Sequence, residues 1–349
     1  MERQVKMSGI LKQDIKNILN ADLQWENFKN ATVLITGATG MLGGYVLRTL
    51  VELNRSSDYG MKIYILIRHP EKLDESLQDD VSVICQSVAE PVKSDATFDY
   101  VIHTASPASP LIMKNDPVGT IAANTLGTFY TLQAAQRSNA KGYLYISSRE
   151  IYGQPYEGQK VFSEDTYGFV DPLEPRSCYP EGKKAAETMC ACFRQQYGLN
   201  TKIARLAHTF GPGMSIDDGR VQADFLRNVV NHEDIVLKSE GTAIRTYTYV
   251  SDAVKALFYI LLDSDDIVYN ISSEADTVSI RDLGQTLVDA FPERNLKLVF
   301  DIPEADKNSG CAPFTLGILG SDKIKALGWK PDYRLDEGLK RTVMYLEGK

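Results

Sequence analysis

Cysteine and histidine are scarce in this 349-residue chain, and neither is spaced to hold a metal. The five cysteines include no C-x-x-C pair, and Cys190 and Cys192 are separated by one residue. The four histidines show no H-x-x-x-H spacing. Scattered thiols cannot build a disulfide framework, and zinc sites need closely spaced thiolate or imidazole ligands. The sequence therefore predicts a protein with neither a disulfide framework nor a metal site.

Long apolar runs are also missing. No run approaches the ~18 residues that span a bilayer, and the first residues, MERQVKMSGI, lack the apolar stretch of a signal peptide. The net charge of −8 and the pI near 5.2 provide no attraction for nucleic acid or an anionic membrane. We therefore expect a cytoplasmic protein that binds neither nucleic acid nor a membrane. Any phosphate that it binds must be held by a local group of hydrogen-bond donors or cationic side chains.

What the chain does contain is an alternation of short apolar stretches with helical patterns. Hydrophobic residues make up 43% and charged residues 24%, as in ordinary globular proteins. The predicted strands are 32–36, 62–68, 81–85, 98–105, 142–148 and 201–207, and the clearest helices are 117–138 and 179–197. Such alternation predicts an α/β fold with a doubly wound parallel sheet of the Rossmann type.

Three segments are expected along the chain. Residues 1–29 read as an amphipathic helical lead-in, because apolar residues recur there at helical spacing. Residues 30–205 are expected to form the Rossmann domain, with the strand at 201–207 closing its sheet. Residues 206–349 are expected to form a smaller, partly interleaved C-terminal domain that binds the substrate, with some segments returning to the Rossmann sheet.

A glycine-rich turn follows the first predicted strand. Gly37, Gly40 and Gly43 form G-x-x-G-x-x-G between TVLIT and an amphipathic helix. The first glycine permits a tight turn, the second a close approach of backbone to a pyrophosphate, and the third close packing of helix on sheet. The free N–H groups at the helix start, at Met41 and Leu42, favour phosphates. This placement predicts a dinucleotide site, and a purely structural turn is the alternative.

The second predicted strand ends in Arg68 rather than in an acidic residue, within ILIRHPEK. A carboxylate at this position would bind the adenosine ribose and favour NAD. Arg68 could instead receive a 2′-phosphate and favour NADP, stack on adenine beside NAD, or be a solvated strand-end charge. The sequence therefore leaves the phosphate state of the cofactor open, and we expect NAD, with NADP possible because of Arg68.

Tyr179 and Lys183 stand four residues apart at the start of a predicted helix, so both project from one face. A lysine ammonium and a positive nicotinamide both favour a phenolate, so we expect the pKa of Tyr179 to fall from ~10 toward neutral pH. Such a phenolate accepts a proton from a hydroxyl while hydride leaves the same carbon. A strand ending in Ser147 and Ser148 supplies a hydroxyl to complete a Ser/Tyr/Lys set. The alternative is a surface Tyr and Lys beside an unrelated serine-rich strand end.

At these residues the sequence resembles the extended short-chain dehydrogenase/reductase family, specifically its nucleotide-sugar epimerase, dehydratase and decarboxylase branch. The resemblance covers nearly the whole chain from about residue 30 and is strongest to UDP-glucuronate decarboxylases. The segments that carry it are HTASPASP (103–110), NTLGT (124–128), SSREIYG (147–153), YPEGKKAAETMC (179–190), TFGP (209–212), DGRV (218–221), RTYTYVSD (245–252) and ALGW (326–329).

The resemblance implies a role for each matching position. The three glycines would hold the cofactor pyrophosphate, with Thr104, Ala105 and Asn124 along its path. Ser148 would be the catalytic hydroxyl, Tyr179 the base and Lys183 its electrostatic partner. Arg220 and Arg245 would contact the nucleotide diphosphate, since guanidinium groups bind phosphate oxygens in bidentate fashion, although a surface ion pair is the alternative for either.

Glu150 bears on the type of reaction. Simple 4-epimerases of the family usually lack a carboxylate there, whereas dehydratases and decarboxylases carry one. Next to C5 it could move a proton once a 4-keto group makes C5 acidic; the alternative is a glutamate paired with neighbouring Arg149. The family's decarboxylases typically read T-S-E or T-D-E where this chain has Ser148, Arg149 and Glu150, and asparagine where it has His208.

Two further departures concern the sugar. The family's GPRM is replaced here by Gly-Pro-Gly213-Met, and no arginine lies between Gly310 and Trp329, before the L-G-W turn. Arg149 could supply the missing charge, and His208 is a substrate ligand or a structural histidine. An unpaired, buried sugar carboxylate would cost several kcal/mol, so substrate identity carries over less well than the core chemistry.

These patterns predict an enzyme that binds a nucleotide-diphosphate sugar and acts through a 4-keto intermediate. UDP-glucuronate decarboxylation is the leading reaction. NDP-sugar 4,6-dehydration, 4-epimerisation, an NADPH-dependent keto-sugar reduction and a non-catalytic dinucleotide sensor are the alternatives. The resemblance also implies a homodimer formed through the helices at 117–138 and 179–197.

Overall fold

The computed structural model describes residues 8–302 and 316–348. The strands are β1 (Thr32–Thr36), β2 (Lys62–Ile67), β3 (Val81–Cys85), β4 (Tyr100–His103), β5 (Gly142–Ser148), β6 (Thr201–Leu206), β7 (His208–Phe210), β8 (Ile235–Leu237), β9 (Ile244–Tyr249), β10 (Val268–Ile271), β11 (Thr277–Ser279), β12 (Leu298–Phe300) and β13 (Leu316–Gly317). The α-helices are α1 (Gly9–Leu19), α2 (Met41–Ser57), α3 (Pro110–Asn115), α4 (Pro117–Arg137), α5 (Cys178–Tyr197), α6 (Val221–Val230), α7 (Val250–Asp263), α8 (Ile280–Ala290), α9 (Asp322–Ala326) and α10 (Leu335–Leu346).

Seven strands form one parallel sheet in the order β10-β6-β5-β4-β1-β2-β3. Because the strands are parallel, their carboxyl ends meet at one edge, and the strand order reverses beside β1. The predicted α/β fold is thus confirmed. The expectation that the strand at 201–207 closes the sheet is wrong, because β10 pairs with the outer side of β6.

Helices cover both faces of this sheet, and the strands are apolar on both sides. In β1, Val33 and Ile35 pack in the core formed with α2 and α7, whereas Leu34 packs in the opposite core with α4 and α5. This division follows from the two-residue period of a strand. All three side chains are fully buried, and each such burial contributes about 1.5–3 kcal/mol. The continuous apolar run TVLIT is therefore the sequence form of a central strand.

The second part of the molecule contains two small sheets. β9 pairs with β7, β11 and β13, and β8 pairs with β12. The chain passes from the large sheet to this part at Ala207, between β6 and β7, and it returns to the large sheet at β10. The strand β7 therefore begins next to the carboxyl edge of the large sheet.

Helix α1 ties the beginning of the chain to both parts through Asp14. This carboxylate is fully buried and accepts hydrogen bonds from the Tyr45 hydroxyl at 2.8 Å and the Tyr249 hydroxyl at 2.9 Å. It also pairs with Arg341 Nη2 of α10 at 2.5 Å. Because each partner comes from a different element, this network fixes α1 against α2, β9 and α10. After α1, a 3₁₀ turn at Trp25–Phe28 leads into β1.

Some expectations concern residues outside the described part of the chain. Residues 1–7 of the predicted lead-in lie there, as do residues 310–315 of the segment that lacks an arginine. Over residues 8–302 and 316–348, no helix is both long and apolar enough to cross a bilayer. The same residues contain no cluster of three or more His, Cys, Asp or Glu side chains able to hold a metal ion.

Candidate active site

The glycine turn forms a bare backbone cradle at the carboxyl end of β1. Gly37 has a φ of +70°, and a Cβ built on it would lie 2.8 Å from the backbone of Ala105 and from Thr104 Oγ1. A Cβ on Gly43 would lie 2.3 Å from the Gly37 carbonyl oxygen. Neither position can therefore take a side chain without a backbone shift. The structure thus brings Gly37, Gly43, Thr104 and Ala105 together.

Helix α2 begins directly after this cradle with its N–H groups uncapped by any side chain. Gly40 is its N-cap residue, in extended conformation, and Met41 and Leu42 form the first turn, half-buried. An uncapped helix N-terminus with a glycine approach favours an anion, so these residues fit a dinucleotide pyrophosphate. A Cβ on Gly213 would meet Met41 at 3.5 Å, so the loop after β7 reaches the same helix start.

Arg68 lies one residue beyond β2, at the same edge of the sheet as the glycine turn. Its strand neighbour Leu66 pairs with Thr36 at the end of β1, and the Arg68 side chain is exposed. The next residue, His69, hydrogen-bonds Glu71 at 3.0 Å. This position is compatible with contact to the adenosine end of a dinucleotide and equally with a solvated strand-end charge.

The predicted Ser/Tyr/Lys set comes together where β5 ends and α5 begins. The Ser148 hydroxyl hydrogen-bonds the Tyr179 phenol and also accepts the Glu150 backbone N–H at 3.2 Å. Lys183 lies one turn after Tyr179, and its Nζ lies 5.7 Å from the Tyr179 ring centroid. That Nζ donates to the Ile146 carbonyl oxygen of β5 at 2.6 Å. Tyr179 and Lys183 are only 7% and 2% exposed, so the alternative of a surface Tyr and Lys is excluded.

The ionisation of this pair differs from the sequence expectation. Burial, followed by the negative charge of Glu150, raises the pKa of Tyr179 to about 12. Burial also lowers the pKa of Lys183 to about 7. Desolvation penalises the charged form of both groups, and it is the largest cause of each shift. Without a further positive charge, Tyr179 is therefore a neutral phenol in this arrangement.

Asn124 connects the cofactor path to the catalytic helix. It lies buried in α4, where its Oδ1 accepts the Ser106 hydroxyl at 2.8 Å and its Nδ2 donates to the Thr120 carbonyl oxygen at 2.9 Å. A Cβ on Gly182 of α5 would lie 3.1 Å from Asn124 Cβ. The two helices therefore approach closely beside Tyr179.

Glu150 makes its ion pair with a residue that the sequence reasoning missed. Arg176 Nη2 donates to Glu150 Oε1 at 2.9 Å, whereas Arg149 had been considered as the partner. Arg176 lies in the 3₁₀ turn before α5, 26 residues from Glu150 along the chain. The sequence feature that could have pointed to Arg176 is its position three residues before Tyr179. Arg176 also acts on the pKa of Tyr179, lowering it.

His208 is surrounded by cationic side chains. Burial, and then the charges of Arg149, Arg245 and Arg220, lower its pKa well below the ordinary value. Its imidazole is therefore neutral at physiological pH, and its ring centroid lies 5.6 Å from that of Tyr247. The structure thus gathers all four of the predicted substrate-binding residues in one region.

The two predicted diphosphate ligands differ in their contacts. Arg220 stands at the start of α6 and forms an ion pair with Asp218 through Nε and Nη2. Arg245 lies in β9 and donates from Nη1 to the Ile244 carbonyl oxygen at 2.8 Å. Arg220 is therefore in an ion pair, which was the alternative raised from the sequence. Its partner Asp218 is a neighbour in the same loop. Arg220 nevertheless lies close enough to Tyr179 to lower the pKa of that phenol.

A second network below the site was also missed. Arg205 of β6 pairs with Glu187 at 2.7 Å, and Glu187 accepts the Ser147 hydroxyl at 2.5 Å. Glu187 lies one turn after Lys183 on α5 and raises the pKa of that lysine against the effect of burial. Arg205 also donates to the Tyr152 hydroxyl at 2.8 Å. The network holds the end of β5 against α5, where the catalytic candidates lie.

The comparison with protein families identifies this arrangement. Residues 33–272 match the model of the NAD-dependent epimerase/dehydratase family. The chain belongs to that family. The matched range contains the glycine turn, Ser148, Tyr179 and Lys183, and it ends just after β10. The predicted resemblance is therefore confirmed, and the chain is an enzyme of the extended short-chain dehydrogenase/reductase type, with NAD as the family's cofactor.

Individual relatives and solved structures show which members of the NAD-dependent epimerase/dehydratase family this chain is similar to. UDP-glucuronic acid decarboxylase 3 of Arabidopsis thaliana is 32% identical over 312 residues, covering 89% of this chain and 87% of that protein. The structure of UDP-glucose 4-epimerase from Thermotoga maritima with UDP-glucose superposes with a TM-score of 0.78 at 25% identity, covering 91% and 99% of the two chains. The UDP-glucuronic acid 4-epimerase from Bacillus cereus, in complex with UDP-glucuronic acid and NAD, has a TM-score of 0.73 at 19% identity, covering 91% and 99%.

Proposed function

We propose that the protein is a UDP-glucuronate decarboxylase that uses bound NAD and works through a 4-keto intermediate. The observation that carries this proposal is the position of Glu150 beside the Ser148–Tyr179 hydrogen bond. A carboxylate at this point is suited to proton transfer at C5, next to the carbon that is oxidised. Two relatives, 32% and 31% identical to this chain, are named UDP-glucuronic acid decarboxylases, which supports the same reaction.

The first step is oxidation at C4. Tyr179 accepts the O4 proton while Ser148 holds that oxygen through its hydroxyl, and the C4 hydride leaves. When bound, NAD supplies the hydride acceptor and a positive charge that favours the Tyr179 phenolate. Lys183 adds its own positive charge when protonated, one turn away on α5. Together these charges counter the burial that keeps the phenol neutral.

The second step is loss of CO2 from C5 of the 4-keto sugar. The bond between C5 and the carboxyl carbon breaks, its electron pair passes into the enolate of the 4-keto group, and C5 then gains a proton. We infer that Glu150 takes up this proton from solvent and delivers it to C5. With NAD bound, the 4-keto group would be reduced again, and Tyr179 would return the O4 proton, so that the cycle is redox-neutral overall. We propose that Arg220 and Arg245 bind the diphosphate of the nucleotide throughout, as charge-assisted partners.

The test is mass spectrometry of UDP-glucuronate incubated with the purified protein. Loss of CO2 is expected, with Tyr179→Phe reducing turnover by about 10²–10⁴-fold, the usual contribution of a general base. Glu150→Gln should collapse formation of the C5-protonated, decarboxylated product while leaving hydride exchange at C4 measurable. A mass loss of water from UDP-glucose or dTDP-glucose, or a changed stereochemistry at constant mass, would replace decarboxylation by dehydration or epimerisation. Turnover that survives Tyr179→Phe unaltered would refute the catalytic assignment altogether.

The choice between NAD and NADP depends on Arg68. We propose NAD, because the family that the chain matches is described as NAD-dependent. Arg68 is the residue through which a 2′-phosphate would be recognised. Equilibrium binding of both cofactors to the wild type and to Arg68→Ala tests this. A preference for NADP that Arg68→Ala abolishes would favour a net reductase instead.

We also propose that the enzyme is a homodimer formed through α4 and α5. An exposed apolar stripe follows one side of α4, at helical spacing, through Val118, Ile121, Leu126 and Phe129. Exposed stripes of this kind usually mark a protein interface. Light scattering should give twice the chain mass, and Phe129→Glu should shift it toward the monomer. A monomeric wild type would refute the proposal.

A further inference from the structure

Two buried polar atoms of the Arg176–Glu150 pair have no hydrogen-bond partner among the described residues. They are Glu150 Oε2 and Arg176 Nη1. An unsatisfied buried polar group costs about 1–3 kcal/mol, and native proteins keep few of them. Their grouping beside Ser148 and Tyr179 therefore points to a ligand that completes their hydrogen bonds.

The Arg176–Glu150 pair offers a donor and an acceptor side by side. Only one atom of each group is used in their mutual hydrogen bond, Arg176 Nη2 with Glu150 Oε1 at 2.9 Å. The other terminal nitrogen, Arg176 Nη1, and the other oxygen, Glu150 Oε2, are the two unsatisfied atoms. The planar guanidinium suits a carboxylate or phosphate, whose oxygens it can bind through parallel N–H groups. The pair can therefore bind an anionic group while keeping Glu150 oriented.

Arg149 places a second guanidinium next to the same carboxylate. Its side chain is 4% exposed, and the turn that it begins follows Ser148 directly. Burial, with the nearby charges of Arg245 and Arg176, lowers the pKa of Arg149 to about 10, so it stays charged at neutral pH. Its charge also reaches His208. Two guanidinium groups around Glu150 make this region suited to a ligand anion.

We propose that Arg176 and Arg149 form the subsite for the carboxylate at C6 of the sugar, and that Arg176 in addition positions Glu150 toward C5. The proposal rests on the proposed function, which requires an acidic sugar. This chain lacks the family's arginines at position 213 and before the L-G-W turn. In the proposed subsite, Arg149 at the end of β5 and Arg176 in the turn before α5 supply the positive charge instead. A sugar with a hydroxymethyl group at C6 would leave both guanidinium groups without their ligand.

The experiment compares the binding of UDP-glucuronate and UDP-glucose by calorimetry, with the full-length protein. The wild type should prefer UDP-glucuronate by about tenfold or more, as charge-assisted hydrogen bonds allow. Arg176→Gln and Arg149→Ser should each weaken UDP-glucuronate by about 10–100-fold while UDP-glucose changes by less than about threefold. Arg176→Lys keeps the positive charge but not the planar guanidinium, so its affinity for UDP-glucuronate should lie between those of the wild type and Arg176→Gln.

Kinetics separate the two residues. Arg149→Ser should raise KM for UDP-glucuronate with little change in kcat, because it removes binding alone. Arg176→Gln should also lower kcat, because Glu150 loses its orientation. Thermal melting of each variant checks folding, and if Arg176→Gln is unfolded, Arg176→Lys and Arg149→Ser decide the question.

Two results would overturn the subsite. One is an equal loss of affinity for both nucleotides, which would make the arginines structural or diphosphate ligands, and the other is unchanged discrimination in the variants. Failure of the proposed function looks different. A wild type that prefers UDP-glucuronate through these arginines but releases no CO2 would refute decarboxylation and leave the carboxylate subsite standing.

Discussion

Replacing Lys183 by methionine is expected to stabilise the fold while abolishing turnover. Burial lowers the pKa of Lys183 from 10.5 to about 7, and each pKa unit corresponds to ~1.4 kcal/mol. At pH 7 this desolvation costs the folded state about 4 kcal/mol. Methionine occupies a similar volume without the charge, but the 2.6 Å hydrogen bond to the Ile146 carbonyl oxygen is lost, at a cost of about 1–3 kcal/mol. The net gain in the free energy of unfolding is about 2 kcal/mol.

The effect of Lys183 on the free energy of unfolding should depend on pH. Between pH 7 and 10.5 the unfolded chain keeps the Lys183 proton that the folded protein has released, so the unfolded state binds more protons and stability rises with pH. From pH 7 to pH 9 this group should add about 2 kcal/mol to the wild type. Lys183→Met cannot show that gain. Its advantage over the wild type should therefore shrink as the pH rises.

Urea denaturation at pH 7, 8 and 9 measures the difference directly. Lys184→Met is the matched control, because Lys184 is the next residue on α5, its side chain is 32% exposed, and it pairs with Glu181 at 3.1 Å. The control should show no such pH trend. A wild-type-minus-Lys183→Met difference that stays constant over this range would refute the reasoning that burial dominates the ionisation of Lys183.

Two other substitutions test the fold around the site. Asp14→Asn removes a buried charge from its ion pair and should lower the free energy of unfolding by about 3–5 kcal/mol, measured by urea denaturation; a loss below about 1 kcal/mol would contradict the role given to this carboxylate. Gly43→Ala places a methyl 2.3 Å from the Gly37 carbonyl oxygen and should weaken NAD binding and lower the Tm, whereas Gly44→Ala, whose methyl would lie 3.5 Å from the nearest atom, should do neither. Equal behaviour of the two alanine variants in calorimetry and thermal melting would argue against the cradle.

Short-range patterns in the sequence predicted the centre of the site well. TVLIT followed by the glycine turn defined β1 and α2, because a central strand is apolar on both faces and the turn needs residues without side chains. The four-residue spacing of Tyr179 and Lys183 placed both on one face of α5. These features depend on neighbours along the chain, which is why the sequence alone reveals them.

Features that depend on distant residues or on burial were not predictable in this way. Arg176 meets Glu150 across 26 residues of irregular chain, and Asp14 meets Arg341 across 327 residues. The direction of the Tyr179 pKa followed from burial, which no spacing reveals. The short strand β10 carries too weak a pattern to be placed at the edge of the sheet before its partner is known.

The return of β10 to the large sheet has a consequence for synthesis on the ribosome. Roughly three quarters of the chain must be translated before Val268–Ile271 can cover β6. Until then the outer backbone groups of β6 are an open edge, which can pair with other nascent chains. A fragment cut after β6 should therefore aggregate when expressed alone, and the nucleotide-binding half is not separable from the rest by truncation at that point.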